Sequence, residues 1–289
     1  MKKAFFQLHA AVFLAGFTGV LGRLISLNEA LLVWYRLIIT CMALWAIYYF
    51  SSSSKKIDSS TRLKAYGVGA VVALHWVTFY GSIKYSNVSI ALVCFSSIAF
   101  FTAILEPLLL KKKASLVELV LGLLTIAGIA VIFHFDSRYK TGILVGIFSA
   151  FLAGLFPVFN RALVQQTDSE TLTREELTGG LFALTLILPA YLYLFPAQQF
   201  LPTLSDLGWL LVLSLLCTVL AFNLSMRALK KISAFTVNLS FNLEPVYGIL
   251  LAFMIYREDR FLAGNFYLGL SLILLSVILQ SLLVLKRNR

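Results

Sequence analysis

Long apolar runs alternate along the chain with short polar connections. The runs fall at 5–25, 30–50, 65–83, 88–110, 115–134, 141–160, 177–195, 206–226, 233–256 and 262–285. A helix needs roughly 20 mostly apolar residues to cross a bilayer, so the pattern predicts ten transmembrane helices. The runs are continuous and lack the residue-by-residue alternation of barrel strands. The longest connections, 51–64 (SSSSKKIDSSTRLK) and 161–176, are polar, and neither has room for a separate soluble domain.

Composition supports that reading. The 289 residues are 60% hydrophobic and 13% charged, against roughly 45–50% apolar and about 25% charged in ordinary soluble domains. Such a chain is not disordered, not a coiled coil and not an ordinary soluble enzyme. Cys41, Cys94 and Cys217 lie inside apolar runs, without the spacing of a metal site or a disulfide framework.

The net charge is +11, but its basic residues form no single patch for nucleic acid. With the N-terminus inside, the cytoplasmic side receives Lys2, Lys3, Lys55, Lys56, Arg62, Lys64, Lys111, Lys112, Lys113, Arg161, Arg174, Arg227, Lys230, Lys231, Lys286, Arg287 and Arg289. The other side receives Arg23, Lys84, Arg138, Lys140, Arg257 and Arg260. This bias predicts a multi-pass protein of the cytoplasmic membrane with both termini in the cytoplasm. Residues 1–25 could be taken for a signal peptide, but the run is long for one and no clear A-x-A site follows.

An internal repeat carries more information. Phe13–Arg23 (FLAGFTGVLGR) and Phe151–Arg161 (FLAGLFPVFNR) share F, L, A, G, V and R at an offset of 138 residues. The same offset aligns Arg36 with Arg174. Further on, an offset of 146 aligns Ile83–Ser86 with Leu229–Ile232, Leu74 with Leu220 and Phe95 with Phe241. Span 1 therefore corresponds to span 6 and belongs to the fold. The expected class is all-α integral membrane, with ten helices as two inverted five-helix repeats, 1-138 and 139-289. Five is odd, so the second copy crosses in the opposite sense. That design is characteristic of secondary transporters, with the substrate site between the halves near mid-membrane. Duplication that merely builds a stable bundle is the alternative.

Trp34-Tyr35-Arg36-Leu37, Ile83–Pro107 (IKYSNVSIALVCFSSIAFFTAILEP) and Ala228–Glu258 (ALKKISAFTVNLSFNLEPVYGILLAFMIYRE) add a resemblance. Together with the duplicated five-span unit, the chain resembles the drug/metabolite transporter superfamily, in particular its EamA-type ten-helix exporters, over nearly its whole length. Two departures are visible. Lys111-Lys112-Lys113 stands where an acidic residue such as Glu258 often ends the span, and Ala99 stands where a proline like Pro245 is often found. The resemblance implies export of small amphipathic metabolites, including amino acids.

Catalytic signatures are missing. The aspartates Asp58, Asp136, Asp168, Asp206 and Asp259 fall in connections or at span ends, and His9, His75 and His134 form no i, i+4 pair. There is no G-x-S-x-G elbow and no GxxxxGK[ST] loop. No enzyme activity, metal or cofactor is expected.

Ionisable groups within spans are costly and mark cavities or partners. Arg36 lies roughly 10 Å into span 2 at 1.5 Å per residue. It could hold a substrate carboxylate, pair with a glutamate, or snorkel outward. His75, Trp76, Phe79 and Tyr80 form two i, i+4 pairs in span 3, suited to a planar or aliphatic solute or to plain packing. Asn238 and Asn242 share a face of span 9. Glu244 follows at mid-span, before Pro245, which would free backbone carbonyls to line a cavity. Glu244 points elsewhere, towards Arg36 or Asn223. Because a charged carboxylate is expensive there, Glu244 is the proton-coupling candidate, its rival role being a structural hydrogen bond. Glu106 reads as a helix-end residue, and Asn160 and Arg161 as residues of the inner mouth. Gly16, Gly19, Gly22 and Gly154 permit close helix approach, without the G-x-x-x-G spacing of a dimer face.

The expected function is a secondary transporter that exports a small metabolite by alternating access, with the bilayer as its surroundings and protons as the candidate coupling ion. A passive uptake facilitator of the same fold and a non-transporting membrane receptor or assembly factor are the rivals.

Overall fold

A computed structural model of the chain describes residues 2–50, 57–111, 113–135, 137–163, 165–229, 240–241 and 243–287. Every regular element among them is helical. The first half comprises α1 (Lys2–Leu24), α2 (Glu29–Phe50), α3 (Ser59–Tyr85), α4 (Val88–Phe95), α5 (Ile98–Leu110) and α6 (Leu116–Phe135). The second comprises α7 (Lys140–Leu163), α8 (Ser169–Leu194), α9 (Leu204–Leu211), a π-helical stretch (Val212–Leu220), α10 (Ala221–Leu229), α11 (Glu244–Tyr256) and α12 (Gly264–Arg287). Seven helices are long and apolar enough to cross a membrane, and Leu116–Ile132, Glu244–Tyr256 and Gly264–Gln280 are shorter apolar helices.

Short polar side chains set the helix starts. Asn28 accepts the Ala30 and Leu31 amides, each at 3.0 Å, and Asp58 accepts those of Ser60 and Thr61. Asn87 accepts from Ile90, Asp168 accepts from Thr171, and Thr203 and Asp206 form a capping box. Two of these caps lengthen helices beyond the expected spans. Helix α3 starts at Ser59 rather than 65, and α8 at Ser169 rather than 177. Their polar first turns are stable because they pair with each other: Thr61 donates to Gln166 at 2.7 Å, and Arg62 pairs with Glu175 at 3.4 Å. Arg174, expected in a connection, is thus helical and buried.

Two further departures concern spans 4 and 9. Span 4 is broken between α4 and α5, where the Ser96 and Ser97 hydroxyls take the carbonyls of Leu92 and Cys94. The expectation that Pro245 loosens a continuous helix is corrected. Helix α11 starts at Glu244, so Pro245 occupies the first turn, where an N–H has no intrahelical partner. Helices α5 and α11 are both 13 residues long and lie 146 positions apart, and each ends on a left-handed basic residue, Lys111 (φ 51°) and Arg257 (φ 54°).

Hydrogen bonds order the two ends of the bundle. At one end Lys84 donates to the Ile25 carbonyl at 3.0 Å, Ser26 to Asp206, and Tyr191 to Glu29. There Arg23 also pairs with Glu258, which accepts from the Val88 and Ser89 amides and the Ser89 hydroxyl. Thr61, Gln166, Arg62 and Glu175 lie at the other. Gly142, near the start of α7, packs on Ser86 at the Arg23 end. Helix α1 ends where α7 begins, so these equivalent helices run in opposite senses.

Helix pairing repeats the same relation. Helix α1 packs on α11 as α7 packs on α5. It packs on α10 and the π stretch as α7 packs on α3, and α3 meets α8 as the π stretch meets α2. The pairs α2–α8, α6–α12 and α4–α11 close the set.

In lipid, apolar burial gives helices no drive to associate, and close packing takes its place. A Cβ added at Gly16 would lie 2.9 Å from the Glu244 carbonyl oxygen, and one at Gly128 2.6 Å from that of Gly269. A Cβ at Gly69 would overlap the Glu176 carbonyl, whereas Gly67 on the same helix has open space. Large apolar side chains such as Phe6, Tyr49, Phe50, Tyr193 and Leu204 point outward, as a lipid-facing surface requires. Gly69→Ala is expected to lower the thermal midpoint in detergent sharply. Gly67→Ala should leave it equal or raise it, by up to about 1 kcal/mol of helix propensity. Equal effects at both positions would refute the crossing as a structural joint.

Candidate functional site

Arg36 is 4% exposed and does not snorkel. Its guanidinium carbon lies 3.6 Å from the centroid of Trp76 and 5.9 Å from that of Tyr80. Nη1 donates to the Tyr80 hydroxyl at 2.9 Å, and Nη2 and Nε donate to Thr218 Oγ1 at 3.0 and 3.3 Å. The cation is therefore held on α2 by one aromatic face from α3 and by hydroxyls from both halves.

The π-helical stretch supplies the second of those hydroxyls. Thr218 donates to the carbonyl of Leu213, five residues back, at 2.9 Å, and Ser214 donates to the Arg36 carbonyl at 3.2 Å. A π-helical segment inside a helix is a frequent mark of a functional site. Sequence reasoning missed Thr218 because it lies in an apolar run. Its i, i+4 spacing from Ser214 was the available signal.

Glu244 opens α11 opposite this cluster. Its carbonyl is the group against which Gly16 of α1 packs. Arg36 acts on it electrostatically, yet no ion pair joins the two and no bond joins Glu244 to Asn223 among the described residues. Arg36 and Glu244 thus come from different halves of the chain and are not joined by an ion pair.

The span 3 aromatic residues divide by strip. Trp76 and Tyr80 serve Arg36. His75 and Phe79 turn to the packing of α3: the His75 ring stacks on Phe95 at 5.5 Å, and Phe79 lies 5.3 Å from the same ring. His75 Nδ1 lies 2.8 Å from Ser149 Oγ and 3.1 Å from the Ser149 carbonyl oxygen, and Ser149 Oγ donates to the His75 carbonyl. Asn223 donates to the Val219 carbonyl on its own helix. Asn238 and Asn242 lie outside the described residues.

Arg174, aligned with Arg36 by the repeat, adopts a related arrangement. Its guanidinium lies 3.8 Å from the Tyr48 centroid and 4.6 Å from that of Trp45, but it pairs with Glu175 at 3.0 Å. The equivalent arginine is neutralised by its neighbour, whereas Arg36 has hydroxyl and aromatic partners only. Among the described residues, the two aligned arginines therefore differ in that only Arg174 has a carboxylate partner.

A sequence model of the EamA-like transporter family matches residues 2–134 and again residues 140–282. No curated protein matches the chain. Among solved structures, one described as "Crystal structure of protein" shares 14% identity and a TM-score of 0.63, with 100% of each chain covered. At that identity the likeness is one of fold.

Ser149→Ala is expected to leave His75 Nδ1 with the backbone carbonyl alone. The cost should be about 1–3 kcal/mol, typical of a buried polar group losing its partner, read as a lower thermal midpoint with solute affinity retained. Loss of affinity at unchanged stability would place His75 in the binding site instead.

Proposed function

Because the chain belongs to the EamA-like transporter family, we propose that it is a secondary transporter exporting small amphipathic metabolites, amino acids or similar solutes, across the cytoplasmic membrane. Two inverted five-span units, residues 1-138 and 139-289, alternate access to a site between them, and ten spans place both termini in the cytoplasm. The observation that carries the reading is Arg36, a buried cation held by the Trp76 face and by the Tyr80 and Thr218 hydroxyls without a carboxylate partner. Such a cation suits the carboxylate of an amphipathic solute. The Trp76 and Tyr80 rings supply the apolar flank that an amphipathic solute needs.

The orientation follows from the distribution of lysine and arginine, which places the Arg23 end outside. That end is fastened by Glu258, Asp206 and Glu29, consistent with a bundle closed to the exterior. Glu244 is the proton-coupling candidate of this scheme, and Asn238 and Asn242 are the other candidates, whereas His75, Phe79 and Asn223 are engaged in packing or by their own helix.

Purified protein in liposomes should move solutes from an amino-acid panel without ATP. If none from an amino-acid and nucleoside panel moves or binds, the export reading fails. Arg36→Lys keeps the charge but loses the planar fork. It is expected to reduce flux at low solute concentration about tenfold, equivalent to about 1.4 kcal/mol. Glu244→Gln should abolish the pH dependence of flux with binding retained, and a pH profile identical to the parent would remove Glu244 from coupling.

A further inference from the structure

A second polar cluster lies where α3, α7 and α8 meet at the Thr61 end. Arg174, Glu175 and Glu176 follow one another on α8 and are all buried. Glu175 is compensated, by Arg174 at 3.0 Å and by Arg62 of α3 at 3.4 Å. Glu176 is not. It is 7% exposed and lies beside Asn160 of α7. Two atoms of this pair, Glu176 Oε1 and Asn160 Oδ1, are buried with no hydrogen-bond partner.

Among the described residues, no cation pairs with Glu176. Arg62 and Arg174 are engaged by Glu175. Lys64 on α3 is exposed, and Tyr66 packs on Gly179. Asp168 and Glu170 belong to the start of α8, Asp168 as its cap, with Asp168 eight residues before Glu176 and so about 12 Å away along the axis. Tyr48 and Trp45 of α2 lie under Arg174. On α7, the Arg161 side chain lies outside the described residues. The backbone at Glu176 is held on Gly69 of α3, so the carboxyl cannot reach water by a small shift of its helix.

We propose that Glu176 and Asn160 form a proton-binding site, with Glu176 as the group that carries the proton. A hydrogen on Oε1 turns an orphan acceptor into a donor, and the orphan Asn160 Oδ1 is its acceptor. One proton thus satisfies both buried orphan oxygens at once. The proton comes from water and returns to it, with no other bond made or broken. Released, it leaves two buried unpaired oxygens and an uncompensated charge, so proton loss and water entry between α7 and α8 are linked. The site rests on this packing and not on the transport reading, and it is distinct from Glu244.

Infrared spectroscopy of the purified full-length protein in lipid tests it without any solute. Over roughly pH 5 to 9, a range spanning the unperturbed histidine value on both sides, the parent and Glu244→Gln should both show a protonated-carboxyl band that Glu176→Gln lacks. Glutamine can donate an N–H to Asn160 Oδ1, so this variant keeps the pair and the fold. Asn160→Leu should shift the same band by removing its acceptor. A band unchanged in Glu176→Gln, a band lost only in Glu244→Gln, or no protonated-carboxyl band at any pH would each overturn the proposal. Absence of flux would leave this spectroscopic result intact and count against transport alone.

Discussion

Gly16 against Gly248, Gly69 against Gly180 and Gly128 against Gly269 bring helix backbones into direct contact at three crossings. In a membrane the lipid tails are as apolar as leucine, so burying side chains does not by itself draw helices together. Packing density and interhelical hydrogen bonds must do it, and both require backbones to approach closely. Two of the crossings join the halves of the chain through α1–α11 and α6–α12, and the third joins them through α3–α8. Gly16, for example, brings α1 onto the backbone of the first turn of α11 at Glu244 and Gly248.

The second constraint is the management of charge. Most of the buried ionisable groups among the described residues meet partners from other elements, and the partners differ in kind. At the Arg23 end, carboxylates accept from amides, hydroxyls and one arginine. At the Thr61 end, Glu175 pairs with two arginines while Glu176 has an amide. At the centre, Arg36 is held by an aromatic face and hydroxyls, which satisfy its donors without cancelling its charge.

Much of the fold was legible in the chain, because a 20-residue apolar run has few other meanings and the repeat shows in Phe13–Arg23 and Phe151–Arg161. The helix starts were less so. Asp58 and Asp168 are strong caps, but reading them as the starts of spans required knowing that Arg62 and Glu175 would meet. The break at Ser96-Ser97 and the π-helical stretch left only hydroxyls in apolar runs, and those hydroxyls bond backbone carbonyls as often in intact helices. At the centre, Arg36 and Glu244 stood out as charges in spans, and Trp76 and Tyr80 by their spacing. His75 carried the same spacing on the adjacent strip and is occupied by Ser149, whose position depends on the seating of α7 against α3.

Helices α5 and α11 have the same length and the same left-handed end, yet only α11 is followed by a carboxylate that binds the start of another helix. Two identical halves exchanging roles would give two conformations of equal free energy, each half populated in the empty protein. The contacts of Glu258 with Arg23, Val88 and Ser89 have no counterpart in the sequence after Lys111, where lysines follow. In the proposed alternating-access scheme the degeneracy is therefore broken, and the resting population is weighted toward the state in which the Glu258 contacts are made. Under that scheme, a solute that opens that end contributes the difference from its own binding energy.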